Sequence, residues 1–333
     1  MPKQIHSYHT ENHSKIFILI LFLLITSCKN KNEASENSDI ELAKNIDKIQ
    51  VYVEPNWVKS VIDGNQPQSS NYVILEASWG EPSSDYKKSH IQGALHINTD
   101  LIEEPKYWNI RTPEEIEQVM KDFGISKNTT VIIYGEPSPA ARVAITLLWA
   151  GVDEVHILDG GLKSWINAGY KTSNNTEKAF PIEDIGVIVP AHPEYIISFP
   201  EEIIEKQKDA NFKLVSIRSW DEFIGKISGY SYIERKGEPK GAVWGRDEFD
   251  YIDTNGKVIS IEEAQKIWSE WSVSKENEIS FYCGTGWRAS IPFLIAYQNG
   301  WTNISLYDGG WYVWQMNSKL PIQLGNPKEI TNK

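Results

Sequence analysis

The chain has 333 residues, of which 41% are hydrophobic and 13 are tryptophan, and its formal charge is −12 at neutral pH. This length and apolar content suit two globular domains and exclude a wholly disordered chain. No cluster of lysine and arginine lies inside the folded region, which argues against a nucleic-acid-binding protein, so we expect no nucleic-acid partner.

The N-terminus predicts export. A polar start that contains Lys3 and Lys15 is followed by ten apolar residues, 16–25 (IFILILFLLI). Such a run is too short to span a bilayer but is typical of a signal-peptide core. It ends in ITSC, which resembles the lipobox of bacterial lipoproteins, whose cysteine is acylated after cleavage. We therefore predict a signal peptide over residues 1–27 and a lipid on Cys28; the alternative is an ordinary secretory signal with an incidental cysteine.

Residues 28–48 are polar, charged and poor in aromatic side chains, as is typical of a flexible tether. We expect an extracytoplasmic lipoprotein of the bacterial cell envelope, held to the membrane through its lipid anchor only. With Cys28 acylated, Cys283 is the single free thiol, so no intrachain disulfide can form even where the compartment would permit one. This favours a reactive role for Cys283.

Beyond the tether the chain repeats itself. Residues 134–165 and 282–314 each contain a strand-like run, a turn, a helical stretch, a second strand-like run and an Asp-Gly-Gly turn. In each copy a tryptophan follows four residues after the last glycine. The sequence therefore predicts two copies of one fold. We assign a first domain without a catalytic cysteine to 49–175, a linker to 176–195 and a catalytic domain to 196–326.

Each copy alternates short apolar runs, such as TVIIY and EISFY, with amphipathic helical stretches, such as TPEEIEQVMKDFG and SIEEAQKIWSEW. Both helical stretches begin with a threonine or serine followed by acidic residues, which is a signature of a helix N-terminus. This alternation predicts an α/β fold in which each domain is a mainly parallel sheet flanked by helices on both faces.

Cys283 lies between the strand-like run EISFY and a predicted helix that begins near Trp287. Reactive groups of open α/β sheets belong at such a place, the carboxyl end of a strand. Gly284 and Gly286 allow the backbone to curl so that successive N–H groups point inward, and the positive end of the helix points to the same spot. An anionic sulfur on Cys283 would then be surrounded by N–H donors.

Three other interpretations of this loop are open: a buried structural cysteine, a dinucleotide site and a cysteine phosphatase. GTGWRA fits the dinucleotide pattern G-x-G-x-x-A, but it lies in the last strand-helix unit of the chain rather than the first. A phosphatase loop commonly has five residues between cysteine and arginine, whereas four separate Cys283 from Arg288. We expect no cofactor and no metal.

From about residue 51 to 324 the chain resembles the tandem-domain rhodaneses, which are thiosulfate or 3-mercaptopyruvate sulfurtransferases. The resemblance rests on the segments HIQGA and PKGAVW, the two Asp-Gly-Gly-x-x-x-Trp turns and the six-residue loop CGTGWR. It implies that the first domain has lost its nucleophile, since Gly135 stands where Cys283 stands in the second. It further implies that Cys283 carries a persulfide, bound by Gly284, Thr285, Gly286, Trp287 and Arg288.

The resemblance also bears on the substrates, which we expect to be a small sulfur donor and a thiol or cyanide acceptor, with a thioredoxin-like protein as one candidate. The pair Gly284 and Thr285 follows the pattern of mercaptopyruvate enzymes. In those enzymes the loop hydroxyl is implied to work with a histidine, matched here by His90, and with an acid, for which Glu81 and Asp85 are the candidates.

The anion site departs from the family pattern. Glu222 stands where the family has an arginine, four residues beyond Arg218, so we expect repulsion and weak use of both anionic donors. Arg218, Arg246 and Lys240 are candidates to bind the donor, although Arg218 could instead brace the strand end. The alternative function is a sulfur-relay module that takes persulfide from a partner protein and turns over few small molecules.

Overall fold

The structure is a computed structural model that describes residues 49–330. The predicted signal peptide, Cys28 and the tether lie outside the described residues. Within the described part, no helix combines the length and the apolar composition needed to cross a bilayer.

The described residues form short strands and helices that alternate along most of the chain. The strands are β1 Tyr52–Val53, β2 Tyr72–Ser78, β3 Ala94–Asn98, β4 Thr130–Gly135, β5 Glu154–Leu158, β6 Ile196–Ile197, β7 Phe212–Ser216, β8 Glu238–Pro239, β9 Val243–Trp244, β10 Glu278–Tyr282, β11 Ile304–Tyr307 and β12 Ile322–Gln323. The α-helices are α1 Pro55–Ile62, α2 Ser84–Lys88, α3 Pro113–Phe123, α4 Pro137–Ala150, α5 Gly161–Asn167, α6 Pro200–Lys206, α7 Trp220–Phe223, α8 Ile261–Ser269, α9 Trp287–Gln298, α10 Gly310–Met316 and α11 Pro327–Ile330.

Ten of these strands form two five-stranded sheets, with the orders β1-β5-β4-β2-β3 and β6-β11-β10-β7-β9. Every pairing within the two sheets is parallel. The two orders are identical when only the five strands of each sheet are counted in chain order, which leaves out β8, a strand that pairs with β12. Two parallel sheets flanked by helices confirm the predicted α/β fold and its internal repeat.

The two helices whose starts the sequence predicts, α3 and α8, begin at the expected residues. Thr112 caps α3 and Ser260 caps α8, each through a reciprocal capping box with the glutamate three residues later. Gly124 ends α3 with a φ of 71°, a left-handed conformation that glycine adopts without strain.

The two domains share one hydrophobic core. Helix α4 packs against α9 of the second domain, and all its side chains from Ser138 to Ala150 are buried. A helix that is buried all round must lie between two layers, and here these are the sheet of its own domain and α9. The cleft between the domains is therefore built on a fixed contact.

The Asp-Gly-Gly turns also join the domains. Asp159 Oδ1 accepts a hydrogen bond from the Val258 N–H at 2.9 Å, and Asp308 Oδ2 accepts one from the Ile110 N–H at 2.7 Å. Both donors lie two residues before a helix cap, so the two contacts are related by the internal repeat. Each turn of one domain thus binds the segment that enters a helix of the other.

Candidate active site

The loop that carries Cys283 leaves the carboxyl end of β10 and enters α9. The Trp311 N–H donates to the Cys283 carbonyl at 2.8 Å, and the Tyr312 N–H donates to the Gly284 carbonyl at 3.0 Å. These bonds turn the loop carbonyls toward the start of α10. Among the described residues, none accepts from the N–H groups of the three residues after Cys283. Those N–H groups are available to an anionic sulfur.

The second glycine of the Asp-Gly-Gly turn lies directly against this loop. Gly310 has a φ of 54°, and a Cβ built on it would lie 2.8 Å from the Cys283 carbonyl oxygen and closer still to that of Gly284. No residue with a side chain fits there without displacing the backbone. The turn that the sequence repeats is therefore the support of the cysteine loop.

A cavity of about 660 Å³ opens beside the loop and is walled by both domains. Its wall contains aromatic rings, carboxylates and loop residues. The rings are Trp79, Trp108, Tyr230, Tyr232, Phe249 and Trp287, the carboxylates are Asp100, Glu103, Asp247 and Glu248, and the remaining side chains include Ser138, Thr285 and Arg288.

Cys283 itself is fully buried, and its loop neighbours form the cavity wall. Burial raises the pKa of Tyr232, and the charge of a Cys283 thiolate raises it further. The same charge acts on Arg288, whose pKa is raised although burial opposes this shift. The thiol therefore lies within electrostatic reach of the Tyr232 and Arg288 side chains on the cavity wall.

The charge of Arg288 is already paired. Its Nη1 and Nη2 atoms each lie 3.0 Å from an oxygen of Glu222, Nη2 donates to the Tyr230 hydroxyl at 2.6 Å, and Nη1 lies 3.4 Å from Asp247. Burial alone would raise the pKa of Glu222, but the guanidiniums of Arg288 and Arg218 lower it to about 2. The carboxylate of Glu222 is thus ionised at neutral pH.

This pairing changes the expected role of Glu222. Only 3% of the residue is exposed, and it does not line the cavity, so it does not meet a donor as a free charge. Its effect on an anionic donor is indirect, because it neutralises the guanidinium that the donor would need. The positive charge expected of Arg288 is therefore compensated within the protein.

A second buried ion cluster lies beneath the other side of the loop and crosses the domain boundary. Arg142 Nε donates to Glu103 at 2.8 Å, and Arg142 Nη2 lies 2.6 Å from Asp308. A Cβ built on Gly286 would lie within 3 Å of both Arg142 and Asp308, so the loop rests on this ion pair. Trp287 Nε1 donates to both oxygens of Glu103, at 2.7 and 2.8 Å.

In this cluster a single arginine, Arg142, forms ion pairs with two buried carboxylates, those of Glu103 and Asp308. Burial raises the pKa of Glu103 to about 7 although Arg142 and Trp287 oppose the shift, and burial also raises the pKa of Asp308. The ionised form of Glu103 is therefore held against a desolvation cost.

Glu103 should make stability depend on pH. Its pKa is higher in the folded protein, about 7, than its usual 4.5, so the stabilisation that its proton gives is complete below 4.5 and lost as pH rises to about 7. The loss is at most about 3 kcal/mol. Relative to wild type, Glu103→Gln should lack this decline, as measured by urea unfolding from pH 4.5 to 7.5. If the free energy of unfolding changed with pH in the same way in both proteins, the raised pKa of Glu103 would be contradicted.

The structure does not bring His90 to the cavity. Its Nδ1 lies 2.8 Å from the Tyr86 carbonyl, its ring stacks on Tyr86, and its Nε2 lies 3.8 Å from Glu177. The acids that the resemblance suggested, Glu81 and Asp85, are exposed and also lie off the cavity wall. We therefore withdraw His90 as a partner of Thr285, which does line the cavity.

Arg218 braces the end of β7 and does not line the cavity. It is fully buried, and it donates to the carboxylates of Glu222 and Glu238 at 3.2 and 2.7 Å and to the Gly237 and Ser228 carbonyls at 2.8 Å each. All its bonds tie the end of β7 to neighbouring segments. This outcome matches the alternative that the sequence left open.

The other two cations also lie off the cavity wall. Arg246 pairs with Glu270 and lies 3.5 Å from Asp250, while the side chain of Lys240 is exposed. Neither residue lines the cavity. The anion site that the sequence placed on these residues is therefore not formed by them.

Sequence reasoning missed several residues of the site. Tyr230, Tyr232, Trp108 and Glu248 lie in segments between the repeated motifs, where one sequence offers no pattern to single them out. Arg142 carried a signal, since it is the one charged residue in the largely apolar run 140–150 and so predicts a buried ion pair. Among the described residues, no group of histidine, cysteine and acidic side chains could bind a metal ion.

The equivalent turn of the first domain has a different shape. Gly135 has a φ of 152°, and a Cβ on it would collide with the Ala77 carbonyl oxygen. Pro137 and Pro139 stand in the first turn of α4 and supply no N–H groups. A cavity of about 350 Å³ lies at this place, but the backbone there offers fewer N–H donors than the Cys283 loop.

Comparison with known proteins places these features in one family. The rhodanese-like domain family matches residues 54–168 and again 199–317. Thiosulfate sulfurtransferase YnjE of Escherichia coli K12 is 40% identical over 286 residues, which are 82% of this chain and 65% of that protein. Thiosulfate/3-mercaptopyruvate sulfurtransferase 2 of Arabidopsis thaliana is 28% identical, over 81% and 85% of the two chains. Sulfur carrier protein TtuD of Thermus thermophilus is 25% identical, over 83% and 97%.

Solved structures agree. The crystal structure of YnjE has a TM-score of 0.80 at 38% identity and covers 85% of this chain and 70% of its own. A structure of EanB that carries a cysteine persulfide, with ergothioneine, has a TM-score of 0.79 at 30% identity. The match covers 83% of this chain and 71% of the EanB chain. This chain therefore spans about two thirds of the YnjE sequence. With both domains matched and the same fold in each, the chain belongs to the rhodanese family.

Proposed function

We propose that the protein is a sulfurtransferase that moves a sulfane sulfur through a persulfide on Cys283. The observation that carries the proposal is the loop itself. Its two carbonyls are tied to the start of α10, and three consecutive N–H groups are left without an acceptor among the described residues. The names of the relatives, two of them sulfurtransferases, support the class of reaction.

The reaction has two steps. The Cys283 thiolate attacks the sulfane sulfur of a donor such as thiosulfate or 3-mercaptopyruvate, and the bond from that sulfur to the rest of the donor breaks. The electron pair leaves with the donor remainder, and the negative charge of the persulfide is stabilised by the loop N–H groups. A thiol or cyanide then attacks the outer sulfur, and the electron pair returns to Cys283. Cyanide as acceptor gives thiocyanate.

Intact-mass measurement after incubation with a donor tests the proposal. Wild type should gain one sulfur that a reductant removes, and Cys283→Ser should gain none. Gly135→Cys is the matched variant in the first domain, and it should not load a second sulfur because a side chain there meets the Ala77 carbonyl. Sulfur transfer that persists in Cys283→Ser would contradict the proposal.

A second candidate is a sulfur-relay protein that receives persulfide from a partner protein. The neutralised Arg288 favours it, because a compensated guanidinium binds small anionic donors weakly. The relative named as a sulfur carrier protein supports this candidate. Formation of thiocyanate from thiosulfate and cyanide at rates typical of an enzyme would exclude it.

We further propose that the protein is anchored outside the cytoplasm by lipid on Cys28. The proposal rests on the apolar run 16–25 and the ITSC sequence. Cys28→Ser should appear in the soluble fraction or as an unprocessed precursor. Normal processing with unchanged membrane fractionation would contradict the lipid anchor.

A further inference from the structure

The wall of the large cavity is poor in free positive charge. Four of its residues are carboxylates, and among its described residues Arg288 is the single cation. Both terminal nitrogens of Arg288 lie 3.0 Å from Glu222, and one also lies 3.4 Å from Asp247. Glu103 is paired with Arg142, so an anion that entered would meet a compensated guanidinium and the carboxylates of Asp100, Asp247 and Glu248, whereas a cation would be attracted.

The same wall is rich in aromatic faces. Six rings line the cavity, and two of them, Trp79 and Phe249, are 72% and 77% exposed at its rim. The faces of aromatic rings attract ammonium groups, and methylated ammonium ions are held by several rings at once. Aromatic rings and carboxylates on one wall are therefore the surroundings that a small organic cation requires.

One ring of the wall, Trp108, is held in place before any ligand enters. Trp108 has a φ of 57°, which is unfavourable for a residue with a side chain. Its carbonyl accepts from Arg142 Nη2 at 3.0 Å, and its ring meets Tyr232 edge-on at 4.5 Å and stacks on Tyr312 at 5.3 Å. Contacts from both domains thus maintain a strained conformation that points to use by a ligand.

We propose that this cavity binds a small organic cation, with an ammonium or methylated ammonium group, as the acceptor of sulfur from Cys283. The proposal rests on the proposed function and names its acceptor class. Loading moves the negative charge of the Cys283 thiolate to the outer sulfur, so a cation is attracted to the atom with which the acceptor must react. The thiolate of the acceptor attacks the outer sulfur and forms the new S–S bond. The Cys283–S bond breaks, and its electron pair returns to Cys283.

Binding can be tested without the sulfur chemistry. Choline and its uncharged isostere 3,3-dimethylbutan-1-ol are titrated into Cys283→Ser, with tryptophan fluorescence and calorimetry as readouts. Choline should bind about tenfold more tightly than 3,3-dimethylbutan-1-ol. Phe249→Leu should weaken choline binding, whereas Phe180→Leu should not, because Phe180 is 86% exposed and lies off the cavity wall. Equal affinity for the two probes, or loss in both variants alike, would overturn the proposal.

Discharge of the persulfide tests the acceptor step. Wild type loaded with sulfur is mixed with thiocholine, 2-mercaptoethanol or 3-mercaptopropionate, and each rate is corrected for the fraction of thiolate. We expect thiocholine to react fastest and 3-mercaptopropionate, the anion, slowest. The difference between their corrected rates should become smaller at high salt. Glu248→Gln should reduce the difference in rate between the cationic and the anionic thiol. Glu276→Gln should not, because Glu276 is an exposed acid that lies off the cavity wall.

The two tests separate the two proposals. If no persulfide forms, the proposed function fails, while the choline titration still decides whether the cavity selects cations. If the persulfide forms and the three thiols discharge it at equal corrected rates, the cationic acceptor is overturned and the sulfurtransferase remains.

Discussion

Arg142→Met is expected to lower the free energy of unfolding by about 3 to 5 kcal/mol, as is typical when a buried ion pair loses one partner. Arg142 is fully buried and serves two carboxylates, those of Glu103 and Asp308, which are 4% and 0% exposed. Removal of the guanidinium leaves both acids without a cation. Because their pKa values are already raised, the variant should lose most stability above pH 7.

The same substitution should also disturb the Cys283 loop. Gly286 rests on the Arg142–Asp308 pair and Trp287 binds Glu103, so the variant should load sulfur on Cys283 more slowly even where it remains folded. Urea unfolding and the rate of sulfur loading measure the two effects. Arg246→Met is the matched control, because that exposed pair should contribute less than about 1 kcal/mol.

A rescue variant separates charge from packing. Arg142→Met combined with Glu103→Gln and Asp308→Asn removes the unpaired charges and should recover most of the lost stability. A loss below about 1 kcal/mol in Arg142→Met alone would show that the cluster is not the support we describe.

Glu222→Gln is expected to lower the KM for thiosulfate about tenfold at low ionic strength. The substitution keeps the shape of the side chain and removes the charge that neutralises Arg288. A full charge at about 5 Å is equivalent to about 3 kcal/mol at an effective dielectric near 20, and solvent in the cavity reduces this to roughly half. Because the pKa of Glu222 is about 2, the effect should persist from pH 5 to 8.

The measurement is steady-state formation of thiocyanate, with Asp221→Asn as the matched control. Asp221 is the preceding residue on α7 and pairs with the exposed Lys226, so its loss changes the net charge equally without touching Arg288. The kcat should change less than the KM, since the charge acts on binding. An unchanged KM in Glu222→Gln would show that Arg288 does not bind the donor.

The substitution that the sequence alone suggests, Glu222→Arg, should instead be harmful. It would place a third guanidinium beside Arg218 and Arg288 in a site that is 3% exposed. Glu238 and Asp247 would remain as the nearby acids. We therefore expect a destabilised protein and no gain with 3-mercaptopyruvate.

The fold and the reactive position were accessible from the sequence because they depend on local and repeated patterns. The helix caps at Thr112 and Ser260, the strand before Cys283 and the paired Asp-Gly-Gly turns each show in a short stretch of residues. They predicted the parallel sheets and placed Cys283 at the carboxyl end of a strand.

The partners of the charged residues were not accessible, because they join positions far apart in the chain. Glu222 meets Arg288 across 66 residues, and Trp287 meets Glu103 across 184. A single residue type at a family position says nothing about which neighbour compensates its charge. For this reason Glu222 was expected to repel a donor, and the structure shows it bonded to an arginine.

The reciprocal bonds of the Asp-Gly-Gly turns bear on how such a chain arose. Asp159 accepts a hydrogen bond from the Val258 N–H, and Asp308 accepts one from the Ile110 N–H. Each half therefore has both an accepting turn and a donating segment for the other half. A lone half with these two surfaces would pair with an identical copy about a two-fold axis, since each copy supplies what the other lacks. Gene fusion of such a symmetric pair would keep the interface while freeing one catalytic loop to diverge. The prolines of α4 and the charged Arg142 are the kind of changes that become tolerable once a single chain carries both halves.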